Sequence, residues 1–435
     1  MSALMRKLDA RNYYTATRKY DLSFPRLIED IDCDIVIIGG GFSGINTALE
    51  LAEKGLTNIV ILEGRYLGYG GTGRNGGQVM AGIGHDIEAV RKHVGPEGLD
   101  VLFKIANLGA GIIKERIKKY NINADFCPGY GYLAFNKRQQ KTLEQWLKDF
   151  KSVTPDEEID LVTGNDVQSV IGSTAYCAAL KHMGGGHVNS LNLLLGEAKA
   201  ATSHGVRIFE NSPAVKVTYG DRITVRTAAG TVKAQKLLWA CNGFLDGMEP
   251  YIWKKTLNTY AFQIATEPLS DELINKISPI RGAYSDIRPV IDYYRVTKEN
   301  RLLFGLATRY IDYIPENLAE WNRKFMLDIF PYLDKVKIDM AWGGPLCCSV
   351  NLFPQIGSLP EHPNVFFVQG YSGFGVTPSH IVCKVLAEGM SEGSKRYELM
   401  SSIPHRNVVA KTIARPLLAT AGKLWHQLSG QLSGR

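Results

Sequence analysis

The sequence predicts an α+β/α/β chain of two domains: a nucleotide-binding domain assembled from non-contiguous segments, and a second domain with a mainly antiparallel sheet and flanking helices. Three stretches carry that expectation. Cys33–Gly64 reads as a complete βαβ unit with a glycine-rich turn. Asn364–Gly389 reads as a second strand–glycine–helix unit about 330 residues later, and between the two Tyr260–Gly344 supplies a run of short strands bounded by turns. A length of 435 residues suits two domains with ample core.

Residues 1–30 form a polar arm with Tyr13, Tyr14 and Tyr20 that reaches the first strand through Pro25, and it is expected to pack over the surface. Asp34–Ile38 is then a short apolar run rich in β-branched residues, as a buried parallel strand requires. Gly39-x-Gly41-x-x-Gly44 follows at once, with Phe42 and Ser43 inside it. The first glycine permits a tight turn, the second lets backbone approach a pyrophosphate, and the third lets the helix lie close to the strand. This is the Rossmann-like pattern, and it aims a helix N-terminus at phosphate. Ile45, Leu49, Leu51 and Ala52 give that helix an apolar face as far as Gly55. Asn58–Leu62 is the next strand. Glu63 ends it nineteen residues after Gly44, near the spacing at which a carboxylate accepts ribose hydroxyls. An acid there favours an unphosphorylated ribose, as in NAD or FAD.

Beyond Gly64 and Arg65 the chain is dense in glycine. Gly71, Gly76 and Gly77 let backbone N–H groups turn toward one ligand, and Thr72, Arg74, Asn75 and Gln78 add side-chain donors. Helices are expected over Asp86–Val94, Leu99–Tyr120 and Lys137–Phe150, with a strand at Gly129–Phe135. Met183–Ser190 is another glycine-rich turn. Its His187 is read either as a ligand contact or as a turn histidine satisfied by backbone, and Asn189 or Ser190 caps a helix running to about His204. Short strands from Val206 to Ala240 then end in Cys241-Asn-Gly243, at the carboxyl edge where open α/β sheets hold ligands.

Tyr260–Glu267, Gly282–Asp286, Ile291–Val296, Arg301–Leu306 and Met340–Gly344 are expected as antiparallel strands around a helix near Asn317–Phe330. Tyr260, Gln263, Tyr293, Tyr294 and Arg295 fall on strands expected to wall a pocket, although ordinary sheet packing accounts for most such aromatics. Asn364–Gln369 finally opens onto Gly370, Ser372, Gly373, Phe374, Gly375, Val376 and Thr377, followed by a helix from His380 to Gly389. The implied segmentation is an arm at 1–30, a nucleotide domain at 31–84, 183–245 and 355–405, a substrate domain at 85–182 and 246–354, and a tail at 406–435.

Composition narrows the partners. An apolar content of 45% and a charged content of 21% are ordinary for a globular protein, and a net charge of +7 is mild at this length. Without a basic stretch interleaved with aromatics, nucleic acid is not expected. Seven cysteines without a CxxC pair fit reduced thiols in a cytoplasmic-type compartment, and zinc-ligand spacing is absent, so no metal is expected. No run reaches the roughly 18 apolar residues of a bilayer span. The tail Val408–Leu428 is basic and apolar, with Trp425. It is read as packing on its own domain or on a second subunit of a homo-oligomer, with peripheral contact to the inner face of an anionic membrane as the other option.

In this order the segments resemble the FAD-dependent amine and amino-acid oxidases of the D-amino-acid oxidase, glycine oxidase and sarcosine oxidase superfamily, most nearly its γ-glutamylputrescine-oxidising branch. Gly68–Gln78, Gly186–Gly196, Asn211–Val217, Ala341–Gly357 and Gly370–Thr377 carry the resemblance, which spans nearly the whole chain. It implies FAD as cofactor, with Gly39, Gly41 and Gly44 at the pyrophosphate and Glu63 at the adenosine ribose. Val215 would meet adenine through its backbone, and Arg74 to Gln78 would lie along the flavin. Gly373, Phe374, Gly375 and Val376 would present backbone N–H groups to the pyrimidine end, where reduced flavin gathers negative charge.

Two departures matter. Relatives commonly carry His at the position of Phe374, and sarcosine-type enzymes carry Lys near Thr377 to bind a substrate carboxylate; without it, an amine lacking an α-carboxylate is favoured. Cys347 and Cys348 lie where sarcosine-type relatives link flavin. Adjacent buried cysteines usually behave as small hydrophobes, so FAD is expected to be non-covalent.

The expected reaction with such a small-molecule amine is hydride transfer from its α-carbon to FAD, giving an imine that water hydrolyses to aldehyde and ammonia, with hydrogen peroxide where oxygen is the acceptor. The cofactor carries that chemistry. No obligatory acid–base residue is therefore assigned; His187, Tyr260 and Phe374 are the catalytic candidates, and Tyr260, Gln263 and Tyr294 the substrate candidates. Two alternatives stay open: a dehydrogenase of a cyclic or N-methyl amino acid, of the pipecolate or sarcosine type, feeding a respiratory acceptor, and a flavin-binding subunit without turnover.

Overall fold

The parallel strands foreseen from their apolar runs form one sheet, and the alternating strands form another. The computed structural model describes residues 12–85, 87–288, 291–309 and 315–408. Most of the tail expected to pack or to touch a membrane lies outside them.

The first sheet has the order Gln355–Leu359, His362–Gln369, Thr231–Trp239, Ile31–Ile38, Ile59–Leu62, Arg207–Phe209, with the hairpin Lys216–Thr218 and Ile223–Arg226 joined to Thr231–Trp239. From His362–Gln369 to Arg207–Phe209 its strands are parallel. Both faces are covered, which is why these strands read as continuous apolar runs. Ile35, Ile37, Ile59 and Ile61 pack with the helices Phe42–Glu53, Ser190–Ser203 and Val376–Ser391. Val36, Ile38, Val60 and Leu62 face Ile223, Val225 and Ile252.

The second sheet has the order Ile338–Ser349, Thr256–Thr266, Leu302–Arg309, Asp292–Val296, Ala283–Asp286, Cys127–Ala134, Ala178–His187, Gln78–Val79, with Ile159–Thr163 paired to Ala178–His187. It is antiparallel except where Ala283–Asp286 meets Cys127–Ala134. One face packs Ile264, Tyr284, Tyr294 and Phe304 against Met326 and Ile329 of the helix Leu318–Ile329. The other face looks onto the glycine-rich segment that ends at Gln78.

Several expectations change. Gln78–Val79 and Ala178–His187 belong to the second sheet, so the segment boundaries at 84 and 183 do not separate the sheets. The helices Arg91–Ala106 and Gly109–Lys119, expected as one run from Leu99 and assigned to the substrate domain, put Leu102, Ile105, Ile112 and Ile113 into the core of the first sheet. The helix after Thr377 begins earlier than expected, at Val376, and runs to Ser391. Among the described residues no helix is long and apolar enough to cross a membrane.

The arm is the largest correction. Tyr13 and Tyr14 are 1% and 0% exposed rather than draped over the surface. Asn12 caps the short helix Tyr13–Ala16, and the next residues are bolted to the start of Ser190–Ser203: Asn189 Nδ2 donates to Thr17 Oγ1 at 2.9 Å, and Lys19 N–H donates to Asn192 Oδ1 at 2.9 Å.

Four helices share one buried ionic cluster behind the first sheet's helical layer. Arg116 Nη2 meets Glu50 Oε1 at 2.6 Å, its Nη1 meets Glu197 Oε1 at 3.0 Å and also donates to Asn46 Oδ1, and His380 Nε2 meets the same Glu197 oxygen at 2.9 Å. His380 Nδ1 bonds the Val376 carbonyl at 2.7 Å. The ring is thus held at both nitrogens. Burial alone would raise the Glu197 carboxyl, but His380 and Arg116 hold it below the ordinary carboxylate range. Arg116→Ala leaves buried carboxylates without their guanidinium and is expected to cost about 3–5 kcal/mol of stability. Urea unfolding of the variant checks this; a loss under about 1 kcal/mol would mean the cluster is not a clamp.

Candidate functional site

Adjacent parallel strands of the first sheet end in three glycine-bearing turns: Gly39–Gly44, Cys241–Gly243 and Gly370–Gly375. The turns touch. Gly39 has φ +119°, and a Cβ on it would lie 2.5 Å from the Ala240 carbonyl oxygen; a Cβ on Gly44 would overlap the Gly39 carbonyl. Asn242, itself at φ +46°, accepts from the Gly370 N–H at 3.1 Å, and Ser43 Oγ lies 2.9 Å from the Tyr371 hydroxyl. Cys241 Sγ donates to the Ile38 carbonyl at 3.3 Å, burial pushing its thiol up to about 12, and the Gly243 carbonyl accepts from Asn258.

Gly41 differs from its neighbours. A Cβ there would meet only Thr72 Oγ1, at 3.2 Å, so packing within the protein does not explain that glycine as it explains Gly39 and Gly44. It is the N-cap of Phe42–Glu53 and supplies no side-chain cap. An open approach to an uncapped helix N-terminus suits phosphate. Thr72 Oγ1 accepts from the Phe42 N–H at 3.1 Å and ties the glycine-rich loop to this turn.

Glu63 stands beside the turn. Its Oε2 accepts from the Gly40 N–H and its Oε1 from the Arg65 N–H, each at 2.8 Å. Burial pushes its carboxyl above the ordinary value, and the N–H donors of Gly40 and Arg65 pull the other way. Gly64 lies against Pro213. Val215, one residue before the hairpin strand Lys216–Thr218, donates its N–H to the Arg226 carbonyl at 2.8 Å, so its carbonyl is the backbone group left for the expected adenine contact.

The loop Arg74–Gln78 is held mostly by its carbonyls. The Arg74 carbonyl accepts from Gln263 Nε2 at 2.6 Å and Trp342 Nε1 at 3.1 Å, the Asn75 carbonyl from the Tyr14 hydroxyl at 2.5 Å, and the Gly76 carbonyl from Arg295 Nε at 2.7 Å. Two predicted ligand donors serve the loop itself. Arg74 Nε donates to the Tyr69 carbonyl at 2.9 Å with its guanidinium over the Tyr69 ring, and Asn75 bonds the carbonyls of Gly71 and Thr72, the Gly77 N–H and Ser190 Oγ. Gln78 pairs with His187 in the second sheet, and its buried Nε2 has no partner.

In the third turn Gly370, Ser372 and Gly373 all have positive φ. The Ser372 N–H ties the turn to the Cys347 carbonyl of the strand Ile338–Ser349 at 2.9 Å, and the Phe374 N–H closes the turn on the Tyr371 carbonyl at 3.0 Å instead of facing a ligand, which corrects Phe374. Gly375 caps Val376–Ser391 without a side-chain bond, a second open helix N-terminus. Thr377 is fully buried and accepts from the Met80 N–H at 3.1 Å. The Phe374 ring packs on Gly82. Burial pushes the Cys348 thiol up, away from the thiolate that a covalent link would start from.

The remaining candidates separate by strand face. His187 is a satisfied interior histidine: Nε2 bonds the Arg281 carbonyl at 3.1 Å and Nδ1 lies 3.4 Å from Arg295 Nη1. Burial and then Arg295 lower its pKa to about 3, so it is a neutral support and not a proton carrier at neutral pH. Tyr294 is corrected to the core: its ring stacks on Phe304 at 5.5 Å and its hydroxyl donates to Tyr176, on the face turned away from the loop. Tyr293 points the other way, its ring against Gly76 and Gly305. Tyr260 joins Tyr69 and Phe262 in a small cluster beside Leu318 and Trp321. Sequence reasoning missed Tyr14, Asn242 and Trp342, whose partners lie far away in the chain.

The chemistry of this donor set fits a dinucleotide with a long planar end: an open Gly41 at a helix N-terminus, an acid beside it, a loop fixed from behind and an orphaned Gln78 amide. Among the described residues no cluster of His, Cys, Asp or Glu could hold a metal.

Comparison with known proteins agrees. Residues 34–389 match the family described as FAD dependent oxidoreductase, DAO. The chain is 33% identical over 422 residues to gamma-glutamylputrescine oxidoreductase of Escherichia coli (strain K12), covering 97% of this chain and 98% of that one. It is likewise 33% identical to a probable oxidoreductase of Haemophilus influenzae, covering 96% of each. Among solved structures, L-proline dehydrogenase from P. horikoshii superposes with a TM-score of 0.70 at 19% identity, covering 85% of this chain and 95% of that one. Glycine oxidase from Geobacillus kaustophilus gives 0.67 at 16%, covering 82% and 94%. These two likenesses speak for the fold.

Two outcomes are expected from this geometry. Glu63→Ala should weaken retention of FAD at least about 10-fold, the loss of a charge-assisted hydrogen bond, while circular dichroism stays unchanged; normal affinity would remove Glu63 from the site. His187 takes up a proton below about 6.5 when unfolded but resists it to about 3 when folded. Stability should therefore fall as pH drops below about 6.5, by up to about 1.4 kcal/mol per pH unit, with His405 acting in the same direction. Urea midpoints at pH 7.5 and 5 should show a smaller drop in His187→Gln than in the parent.

Proposed function

The chain belongs to the FAD dependent oxidoreductase (DAO) family, and from that premise we propose that it oxidises an amine without an α-carboxylate, γ-glutamylputrescine being the leading substrate. Its cofactor is FAD, which when bound supplies the two-electron acceptor. The substrate loses two electrons and two protons across its C–N bond to become an imine; water adds, and aldehyde and ammonia leave. Where oxygen is the final acceptor, hydrogen peroxide is the second product.

One observation carries the choice of substrate. Thr377, near the position where sarcosine-type relatives carry a carboxylate-binding Lys, is buried and directs its hydroxyl at Met80. Arg74 and Arg295, the guanidinium groups beside the loop, both donate to backbone carbonyls. This leaves a lining better matched to a neutral amine than to an amino-acid carboxylate. The near full-length similarity to gamma-glutamylputrescine oxidoreductase supports the same choice.

The protein's part is placement. The first two turns and Glu63 would hold the nucleotide end, and non-covalent attachment accords with the protonated Cys348 thiol. The loop Arg74–Gln78, fixed from behind, would bear the planar end, and the second sheet would confine the reacting C–H bond and exclude water. His187, neutral and fully bonded, takes no proton from the substrate in this scheme.

Anaerobic mixing with γ-glutamylputrescine, putrescine, pipecolate and sarcosine tests the reading. The first is expected to bleach the flavin absorption fastest. No bleaching by it, with reduction by pipecolate or sarcosine, would replace the proposal with the dehydrogenase alternative. Reduction by dithionite alone would point to a flavin-binding subunit without turnover.

A further inference from the structure

Arg295 is a buried cation that the protein does not neutralise. It is 2% exposed, and its guanidinium forms no ion pair with a carboxylate among the described residues; its hydrogen-bond partners are a backbone carbonyl, a hydroxyl and a neutral imidazole. The Tyr13 hydroxyl, not the guanidinium, takes the Glu299 carboxylate, at 2.9 Å. Burial lowers the guanidinium pKa, but Tyr14 and Tyr13 raise it to a net value above the ordinary one, so the charge is permanent. A buried cation is costly unless negative charge faces it.

The charge is aimed at the cofactor loop. Nε donates to the Gly76 carbonyl at 2.7 Å, and a Cβ on Gly77 would lie 3.0 Å from that nitrogen and 3.1 Å from Nη2, so the guanidinium rests directly on the loop backbone. Nη2 donates to the Tyr14 hydroxyl at 3.4 Å, and that hydroxyl donates to the Asn75 carbonyl at 2.5 Å. Across the planar Asn75–Gly76 peptide the Gly76 N–H points the opposite way. Hydrogen bonds in such a chain polarise one another. The cation therefore reaches the far side of the loop as a charge behind one layer of backbone and as a strengthened Gly76 N–H.

The neighbours preserve this field. Burial and then Arg295 hold the His187 pKa at about 3, so the imidazole 3.4 Å from Nη1 adds no charge of its own. Leu303, the cross-strand partner of Arg295, is buried and apolar. Salt screens a charge so placed very little.

We propose that Arg295 is a positioning residue for charge: fixed behind the loop Arg74–Gln78, it favours the two-electron-reduced form of bound FAD over the oxidised form without touching cofactor or substrate. Both electrons come from the amine, and Arg295 exchanges none. The inference deepens the proposed function and rests on its reading that this loop bears the planar end of FAD, where reduction adds negative charge.

The test reads the two-electron reduction potential of FAD on the full-length protein, at saturating FAD, by anaerobic equilibration with a redox dye. It needs no turnover. Arg295→Gln is expected to weaken reduced relative to oxidised FAD at least about 10-fold, a fall of about 30 mV. Arg295→Lys keeps the charge without the planar fork and should stay within about twofold of the wild type, about 9 mV. Wild-type bound FAD should stand above free FAD measured with the same dye, and this arm holds even where a variant does not fold. The role is overturned if Arg295→Gln leaves the potential unchanged, if Arg295→Lys falls about 10-fold or more, which would make Arg295 a matter of loop geometry, or if the wild type lies at or below free FAD. Failure of γ-glutamylputrescine to reduce the wild type, with the potentials as expected, would remove that substrate and leave the role of Arg295 standing.

Discussion

Ordering a glycine-rich loop costs roughly 1–2 kcal/mol per residue in backbone entropy, and the segment from Gly70 to Gln78 must meet that cost before any ligand arrives. It does so through its carbonyl side. Tyr14 from the arm, Arg295 and Gln263 from the second sheet, and Trp342 from the neighbouring strand all donate into Arg74, Asn75 and Gly76. With these carbonyls anchored, the Asn75 and Gly76 N–H groups of the same planar peptides point away from the donors, while the Gly77 N–H is taken by Asn75 Oδ1. The long-range nature of those donors also explains why the arm is buried: without Tyr14, the Asn75 carbonyl would lose its partner in a dry interior.

The helices behind the turns are fixed by a different means. Phe42–Glu53 and Val376–Ser391 each begin with a glycine that offers no side-chain cap, and in the first of them Thr72 Oγ1 takes the Phe42 N–H from a neighbouring loop. Such ends are weak points of a helix. Arg116, Glu50, Glu197 and His380 clamp the same helices further along their length, which holds the two N-termini beside one another while leaving them open. The openness belongs to the binding end and the rigidity to the other.

The local part of this design was legible in the sequence. Strand, glycines, helix and acid in register located Gly39–Glu63, because each element is set by neighbours within a few residues. Asn189 as a helix cap was legible for the same reason. What escaped was set by distant pairing. Tyr293 and Tyr294 are adjacent, equally aromatic and equally suited to a strand, and only the register with Ser285 and Gly305 decides which one meets the loop. Similarly, nothing local distinguishes a polar arm that lies on a surface from one whose two tyrosines enter the core. Phe374 shows a third limit: its glycine-rich surroundings suggested a ring of outward N–H groups, whereas the turn uses that N–H to close on Tyr371.

The electrostatics of the loop's underside follow from one buried charge. Arg295 contacts the Gly76 carbonyl, the Tyr14 hydroxyl, the Tyr13 ring and His187 together. A second cation 3.4 Å from it would be repelled at a buried position, which is why His187 is kept neutral and why its proton sits on Nε2, facing the Arg281 carbonyl. The neutral ring accepts from the guanidinium and donates to backbone, passing support from one strand to the next without adding charge. Arg295 and the two open helix ends then act in one direction, toward stabilising negative charge that develops nearby. That bias is what delivering electrons to a bound acceptor requires, and the neutral His187 ring does not oppose it.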